Sequence, residues 1–405
     1  MKRYSEYKDS GVKWIGEIPG HWKICRTRYL CNINTGDKDT VMKEDNGKYP
    51  FYVRSPKIER INTFSYDGEA ILMAGDGVGA GKVFHYANGK FDYHQRVYNM
   101  HNICGVSGKF MFYFIRDQFH YAMEEKNAKS TVDSVRLPWL KAFPIAIPAQ
   151  EEQEAIVTYL DTKVAKIDEY ISIAEKKIAA LEELKQTIIT EAVTRGIHKD
   201  VPMKDSGVKW IGMIPEHWKV NKIRSHFKER RVKVSDKDFQ ALSVAKIGIV
   251  PQLEDACKTD NGDNRKQVLK GDFVVNSRSD RKGSCGISPL DGSVSLINIV
   301  LRPFNILQEY VHYLFRSHNY IEEFYRNGRG IVADLWTTRY SEMRNIQIPV
   351  PPLYEQQEIV TYLDSKVANI NQLCQAERSQ IEKLKEYKQR LISDVVTGKV
   401  KVTND

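Results

Sequence analysis

Residues 147–196 read IPAQEEQEAIVTYLDTKVAKIDEYISIAEKKIAALEELKQTIITEAVTRG, and residues 350–398 return as VPPLYEQQEIVTYLDSKVANINQLCQAERSQIEKLKEYKQRLISDVVTG. Ile156–Ile167 and Ile359–Ile370 agree at 10 of 12 positions. In the first copy apolar residues recur in steps of three and four: Leu160, Val164, Ile167, Ile171, Ala174, Ile178, Leu181, then Ile188 and Ala192. The second copy gives Leu363, Val367, Ile370, Cys374, Ile381, Leu384, then Leu391 and Val395. That alternation is the seam of a coiled coil. Lys185 and Lys388 interrupt it at equivalent places, and Glu377 replaces Ala174. Between Pro148 and Gly196 there is neither glycine nor proline, so nothing breaks the helix. The pattern predicts two long partnered helices. One over Gln153–Arg195 would span roughly 65 Å at about 1.5 Å per residue.

A second duplication fixes the frame. Asp9–Arg28 reads DSGVKWIGEIPGHWKICRTR and Asp205–Arg224 reads DSGVKWIGMIPEHWKVNKIR, agreeing at 14 of 20 positions. The offset is 196 residues at these openings and 203 at the helices, so the second half gains seven residues between its markers. The expected order is a module over 1–147, a helix over 148–197, a module over 198–350 and a helix over 351–405. The fold class is α+β: two mixed, mostly non-parallel modules separated by two antiparallel helices, with an internal pseudo-twofold repeat. The modules are expected at opposite ends of a rod. The start of the first module should then lie near the end of the second helix. Trp14, Trp22, Trp210 and Trp218 could stack on bases. Their fixed places in both openings instead point to a brace against the helix.

With 405 residues and 41% hydrophobic content the chain can build two or three cores. A net charge of +9 favours a polyanionic partner. Cys25, Cys31, Cys104, Cys257, Cys285 and Cys374 show no CxxC, which reads as reduced thiols and not a zinc or disulfide framework. No apolar run approaches membrane-spanning length, and the expected location is the cytoplasm.

In the first module, Glu69–Met73 reads as a buried strand, followed by AGDGVGAGK and a second strand, KVFHY. Lys109–Phe119 reads as a helix, Ala128–Leu140 as a polar loop and Ala142–Ile147 as a last strand. In the second, Gln240–Val250 and Ser293–Leu301 each read as one strand. Gly271–Asn276 takes the place of Gly68–Met73, Gln308–Tyr325 reads as helical and Arg344–Val350 as the closing strand.

Gly75–Lys82 is not a Walker loop: Asp76 stands where the first glycine is needed and Val83 where the hydroxyl is needed. A dinucleotide loop must open a helix, whereas KVFHY reads as a strand. A tight backbone approach, to a phosphate through exposed amides, and a plain turn both stay open. No methyltransferase signature, nuclease carboxylate cluster or His-x-x-x-His occurs. The expectation is a non-catalytic chain. The modules differ chiefly in basic and polar loops. These hold Arg54, Lys57, Arg60, Lys82, His94, Gln95, Arg96 and Lys129 in the first, and Lys246, Arg265, Lys266, Arg278, Arg281, Lys282, Arg326 and Arg329 in the second. Arginine and glutamine suit guanine and adenine edges, and lysine suits phosphates. The set is the candidate DNA contact.

The duplicated DSGVKWIG-x-IP-x-HWK opening, the duplicated [IV]P-x-x-x-EQ-x-x-IVTYLD helix entry and GDFVVNSRSDRKGSCGIS make the chain resemble the specificity subunit of a type I restriction-modification enzyme, over nearly its whole length. The resemblance implies two target recognition domains that each read half of a split DNA site. It also implies helices that space the domains and dock two modification subunits, which hold S-adenosylmethionine. Two translocating restriction subunits would use ATP and magnesium, and no cofactor would reside in this chain. The first module carries AGDGVGAGK where the second carries SRSDRKGS, so the half-sites should differ. The alternatives are a coiled-coil protein scaffold without DNA specificity and a stand-alone nuclease.

Overall fold

Both long helices form. The computed structural model describes residues 2–127, 134–253, 262–330 and 336–402, with helices over Gln150–Arg195 and Leu353–Val396. The chain divides into two compact units, Met1–Ala174 with Ser379–Asp405, and Glu175–Arg378. Each long helix therefore supplies its first part to one unit and its second part to the other.

The helices run antiparallel within each unit. In the first, Lys388 Nζ lies 2.6 and 2.8 Å from the Asp168 carboxylate. In the second, Lys185 Nζ donates to Asn371 at 3.1 Å and Lys177 bonds Glu377. Asp168 and Asn371 are equivalent positions, as are Lys185 and Lys388, so both units use the same crossing contact with one charge altered. All the seam residues named above are buried or half-buried. Ile156, Leu160, Val164 and Ile167 share the first core with Leu391, Ile392, Val395 and Val396. Ile189, Ala192 and Val193 share the second with Ile359, Val360 and Leu363. The unit boundaries thus fall mid-helix, unlike the sequence segments 1–147 and 198–350.

Each unit carries an antiparallel four-stranded sheet of the same order. In the first the strands are Asn32–Thr35, Val97–His101, Ala70–Ala74 and Phe84–Ala87; in the second, Phe227–Glu229, Asn298–Pro303, Phe273–Asn276 and Cys285–Ile287. Ala70–Ala74 is apolar throughout, and Phe273–Asn276 is apolar up to its last residue, because both faces are covered. Ile71 and Met73 enter the main core while Ala70 and Leu72 enter a second cluster beyond the sheet. Phe273 and Val275 face one core and Val274 another. Helix Gly108–Asn127 covers the first sheet, and helices Gln308–Arg316 and His318–Arg326 belong to the second core.

The repeated opening is a brace. The strand after it pairs with the strand before the long helix: Lys23–Arg26 with Pro144–Ile147, and Lys219–Lys222 with Gln347–Val350. Trp22 and Trp218 are fully buried. Their indole N–H groups donate to Glu152 at 3.0 Å and to Glu355 at 2.8 Å, and His21 and His217 contact the same carboxylates. The Gln beside each Glu accepts a backbone N–H, from Ser107 at 2.6 Å and from Leu307 at 2.8 Å, and donates to the Pro148 or Pro351 carbonyl. That accounts for the repeated Glu-Gln pair. Trp14 stacks on Phe143 and Trp210 packs on Tyr320. As expected, the start of the first module meets the end of the second helix: Lys2 bridges Lys401 and Tyr7 Oη donates to the Gly398 carbonyl.

Several local expectations are corrected. Gln240–Val250 is not one strand but contributes to a hairpin, Leu242–Ala245 with Gly248–Pro251, turning at Lys246 and Ile247 just before Gly248, whose φ is 121°. Ser293–Leu301 splits into Gly292–Val294 and Asn298–Pro303. The helix expected over Gln308–Tyr325 breaks at Ser317, whose ψ of 142° is extended. A short helix, Leu137–Ala142, occupies the end of the expected polar loop, with proline in its first turn where no N–H is needed. The rest of that loop at 128–133 lies outside the described residues.

Candidate nucleic-acid interface

In the first unit the loops gather at one end of the four-stranded sheet. Gly75 N–H donates to the Arg96 carbonyl at 2.8 Å, and Val135 N–H to the Gly75 carbonyl at 2.8 Å. The glycines of AGDGVGAGK serve this folding. A side-chain carbon at Gly79 would sit 2.5 Å from the Arg54 carbonyl oxygen, and Gly77 has φ 70°. The close approach at Gly79 is therefore to the chain's own backbone. The loop carries Asp76, whose carboxylate lies 3.1 Å from Arg54 Nη1 and 3.6 Å from Arg96 Nε.

The second unit builds its loops at the equivalent place. Thr338 N–H donates to the Ser277 carbonyl at 3.0 Å and Ser279 N–H to the Trp336 carbonyl at 2.9 Å. Tyr325 Oη, 3.1 Å from the Asn276 carbonyl and 3.3 Å from that of Arg281, ties the helix to the loop. Here Asp280 lies 3.1 Å from Arg278 Nε and 3.6 Å from Arg281 Nε. Lys282 bonds Glu322 at 3.0 Å, Arg326 pairs with Glu323 at 2.9 Å, and Arg329 is exposed beside Thr337.

The candidate residues separate by burial. Arg54, Arg96, Lys82, Arg281, Lys282 and Arg329 are exposed on the gathered loops, Arg278 is half-buried among them, and Arg326 is exposed at the end of helix His318–Arg326. His94 is instead buried, and its Nδ1 accepts the Arg96 N–H at 2.9 Å. Burial, then the nearby Arg54 charge, pushes its pKa below the ordinary range, so it is a neutral strut of the loop. Arg265 is also buried and donates from Nε to Ser293 Oγ at 2.9 Å and from Nη2 to the Ser293 carbonyl at 3.1 Å. These two are corrected from contacts to supports. Lys266 donates to the Asn298 carbonyl at 2.7 Å, and burial lowers its pKa. Arg60 holds the Gly47 and Lys48 carbonyls at 2.9 and 2.7 Å, as a strap across its own turn. Gln95 donates to Asp39 at 3.1 Å and Lys57 pairs with Glu59 at 3.4 Å. Lys246 is exposed at its hairpin tip. Lys129 lies outside the described residues. Sequence reading misses Asp76 and Asp280, the acids among these cations; an aspartate inside a basic, glycine-flanked loop is the available signal.

Among the described residues, no group of three or more His, Cys, Asp or Glu is placed to hold a metal ion. The described cysteines Cys25, Cys31, Cys104, Cys285 and Cys374 are free thiols. No described helix is long and apolar enough to cross a membrane.

The profile of the family described as "Type I restriction modification DNA specificity domain" matches residues 19–183 and 219–383. The chain is 22% identical to the Type I restriction enzyme EcoDI specificity subunit of Escherichia coli, over 95% of this chain and 90% of that one. It is 25% identical to the Type I restriction enzyme MjaVIII specificity subunit of Methanocaldococcus jannaschii, over 98% of both. In fold it is similar, with a TM-score of 0.67 and 15% identity, to a chain of a solved structure described as "Structural basis underlying complex assembly and conformational transition of the type I R-M system", covering 94% of this chain and 98% of that one. Two matched stretches, carried on a repeated brace, sheet and helix, place this chain in the Type I restriction modification DNA specificity domain family, to which it belongs.

Proposed function

We propose that this chain is the DNA-specificity subunit of a type I restriction-modification complex in the cytoplasm. Segments 1–147 and 198–350 would act as target recognition domains, each reading one half of a bipartite double-stranded site. The helices at 148–197 and 351–405 would set the half-site separation and dock two modification subunits. Those subunits would bind S-adenosylmethionine, and two restriction subunits would use ATP and magnesium. This chain would supply recognition without catalysis. One observation carries the reading. On a frame whose brace, sheet order and helix entry are repeated, the two units differ where exposed arginines gather. A shared frame with unlike basic loops suits two unlike half-sites.

The test is a map of methylated bases in host DNA with the gene intact and deleted. Loss of one bipartite motif on deletion supports the reading. If the map is unchanged and the purified complex binds DNA without sequence selectivity or salt dependence, the scaffold reading replaces it.

A further inference from the structure

We propose that each recognition module reads a guanine through an arginine held by a shared aspartate: Asp76 with Arg54 and Arg96 in the first, Asp280 with Arg278 and Arg281 in the second. The inference rests on the function proposed above and names the contact that would give it specificity.

The two clusters match in geometry though not in sequence. In each, one arginine nitrogen lies 3.1 Å from the carboxylate and the other arginine's Nε lies 3.6 Å away. Side-chain exposures also match: 46% and 44% for the nearer arginines Arg54 and Arg278, and 64% and 65% for Arg96 and Arg281. Both aspartates follow a central strand of the equivalent sheet, in loops pinned to a later stretch of the same module by the Asp76–Ser134 and Arg278–Thr337 bridges. Yet the first module draws its arginines from 54 and 96, while the second takes both from one loop. Two different chain paths arrive at one arrangement.

Stability does not explain that. Half-exposed ion pairs contribute little to stability. Nor does phosphate binding: a carboxylate between two guanidinium groups cancels one positive charge and repels a phosphate. What it does is fix an arginine whose rotamers would otherwise be lost on binding. Held at Nη1, Arg54 presents Nε and Nη2; held at Nε, Arg278 presents its two terminal nitrogens. Either pair is a planar two-donor fork that matches O6 and N7 of guanine in the major groove.

The experiment uses the complex of this chain with its modification subunits, selecting from random DNA and then titrating single-base variants of the selected site. Asp280→Asn and Arg278→Lys should each relax one G·C position of one half-site about tenfold or more, leaving the other half-site intact. Asp76→Asn and Arg54→Lys should do the same to the opposite half-site. The lysine variants keep the charge, so they read the fork even if an aspartate variant fails to fold. A half-site without G·C pairs overturns the proposal, as do lysine variants that keep full discrimination, or a uniform affinity loss with a shallower salt slope, which marks a phosphate contact. A wild-type complex that selects no split site overturns the function proposed above instead, and this inference with it.

Discussion

Trp22 and Glu152 meet in the interior of the first unit, with the indole Nε1 3.0 Å from Oε2 of a carboxylate that is 7% exposed. Trp218 and Glu355 repeat the contact at 2.8 Å in the second unit. Burial raises the Glu355 pKa, but hydrogen bonds from Trp218, His217 and Tyr354 outweigh it and hold the carboxyl below its ordinary range. Trp218→Phe keeps a ring and removes one donor to a buried charge, which costs about 1–3 kcal/mol. Trp22→Phe should cost a similar amount. Urea unfolding followed by circular dichroism checks this, and a loss too small to measure would show that the repeated tryptophan contributes only packing.

The glycines that end the long helices should respond unequally to alanine. Gly196 and Gly398 have φ of 78° and 74°, the left-handed cap of a helix C-terminus. An added carbon at Gly196 meets Trp218 at 3.2 Å, whereas at Gly398 it presses into the Pro19 ring as well as Trp22. Gly196→Ala should therefore cost about 1–2 kcal/mol, the left-handed penalty alone. Gly398→Ala should cost more, through the displaced Pro19. Equal losses in thermal unfolding would contradict the close approach of Pro19 to the cap.

Lys185 and Lys388 occupy seam positions with side chains only 16% and 19% exposed. The Lys388 partner, Asp168, is 52% exposed and stays hydrated when unpaired. Methionine at either position keeps the stem and replaces a desolvated ammonium, while the lost surface pair contributes little. Each change should raise the calorimetric midpoint modestly, by about 0.5–1 kcal/mol of stability, the expected reward for removing a polar residue that specifies register. A lowered midpoint would mean that the crossing contact is a net stabiliser.

His312 should make the second unit acid-sensitive. Burial, then the Arg316 charge, lowers its pKa from 6.5 to about 4, with Asp364 opposing. The unfolded chain therefore binds the extra proton between about pH 6.5 and pH 4, and stability falls as pH drops through that window and is unaffected above it. At about 1.4 kcal/mol per pH unit the loss reaches roughly 2–3 kcal/mol. Unfolding free energies at pH 7 and pH 4.5 should differ less in His312→Gln than in the wild type. An identical difference would assign the acid sensitivity to other groups.

Much of this architecture is legible because it is written twice. The seam from Leu160 to Ala192 and the Glu-Gln pair at each helix entry have periods and spacings that only one arrangement satisfies. The failures share a cause in tertiary context. Nothing in the residues around Ser317 forbids a helix, yet its backbone is extended there and its hydroxyl donates to the Leu314 carbonyl. Residues 240–250 contain a turn at Lys246–Ile247 that an apolar run conceals. Among the site residues, type alone marks Arg265 and His94 as exposed, whereas hydrogen bonds to Ser293 and to the Arg96 backbone draw them inside. Asp76 and Asp280 escape any reading that looks only for positive charge.

The bridge from Lys2 to Lys401 has a consequence for biosynthesis. The unit Glu175–Arg378 is continuous in sequence and has its whole core once that stretch has left the ribosome. The other unit is emitted first but lacks Leu391, Ile392, Val395 and Val396 until translation passes Val396. The part made first is therefore finished last, and during the interval the helix face formed by Ile156, Leu160, Val164 and Ile167 lacks its partner.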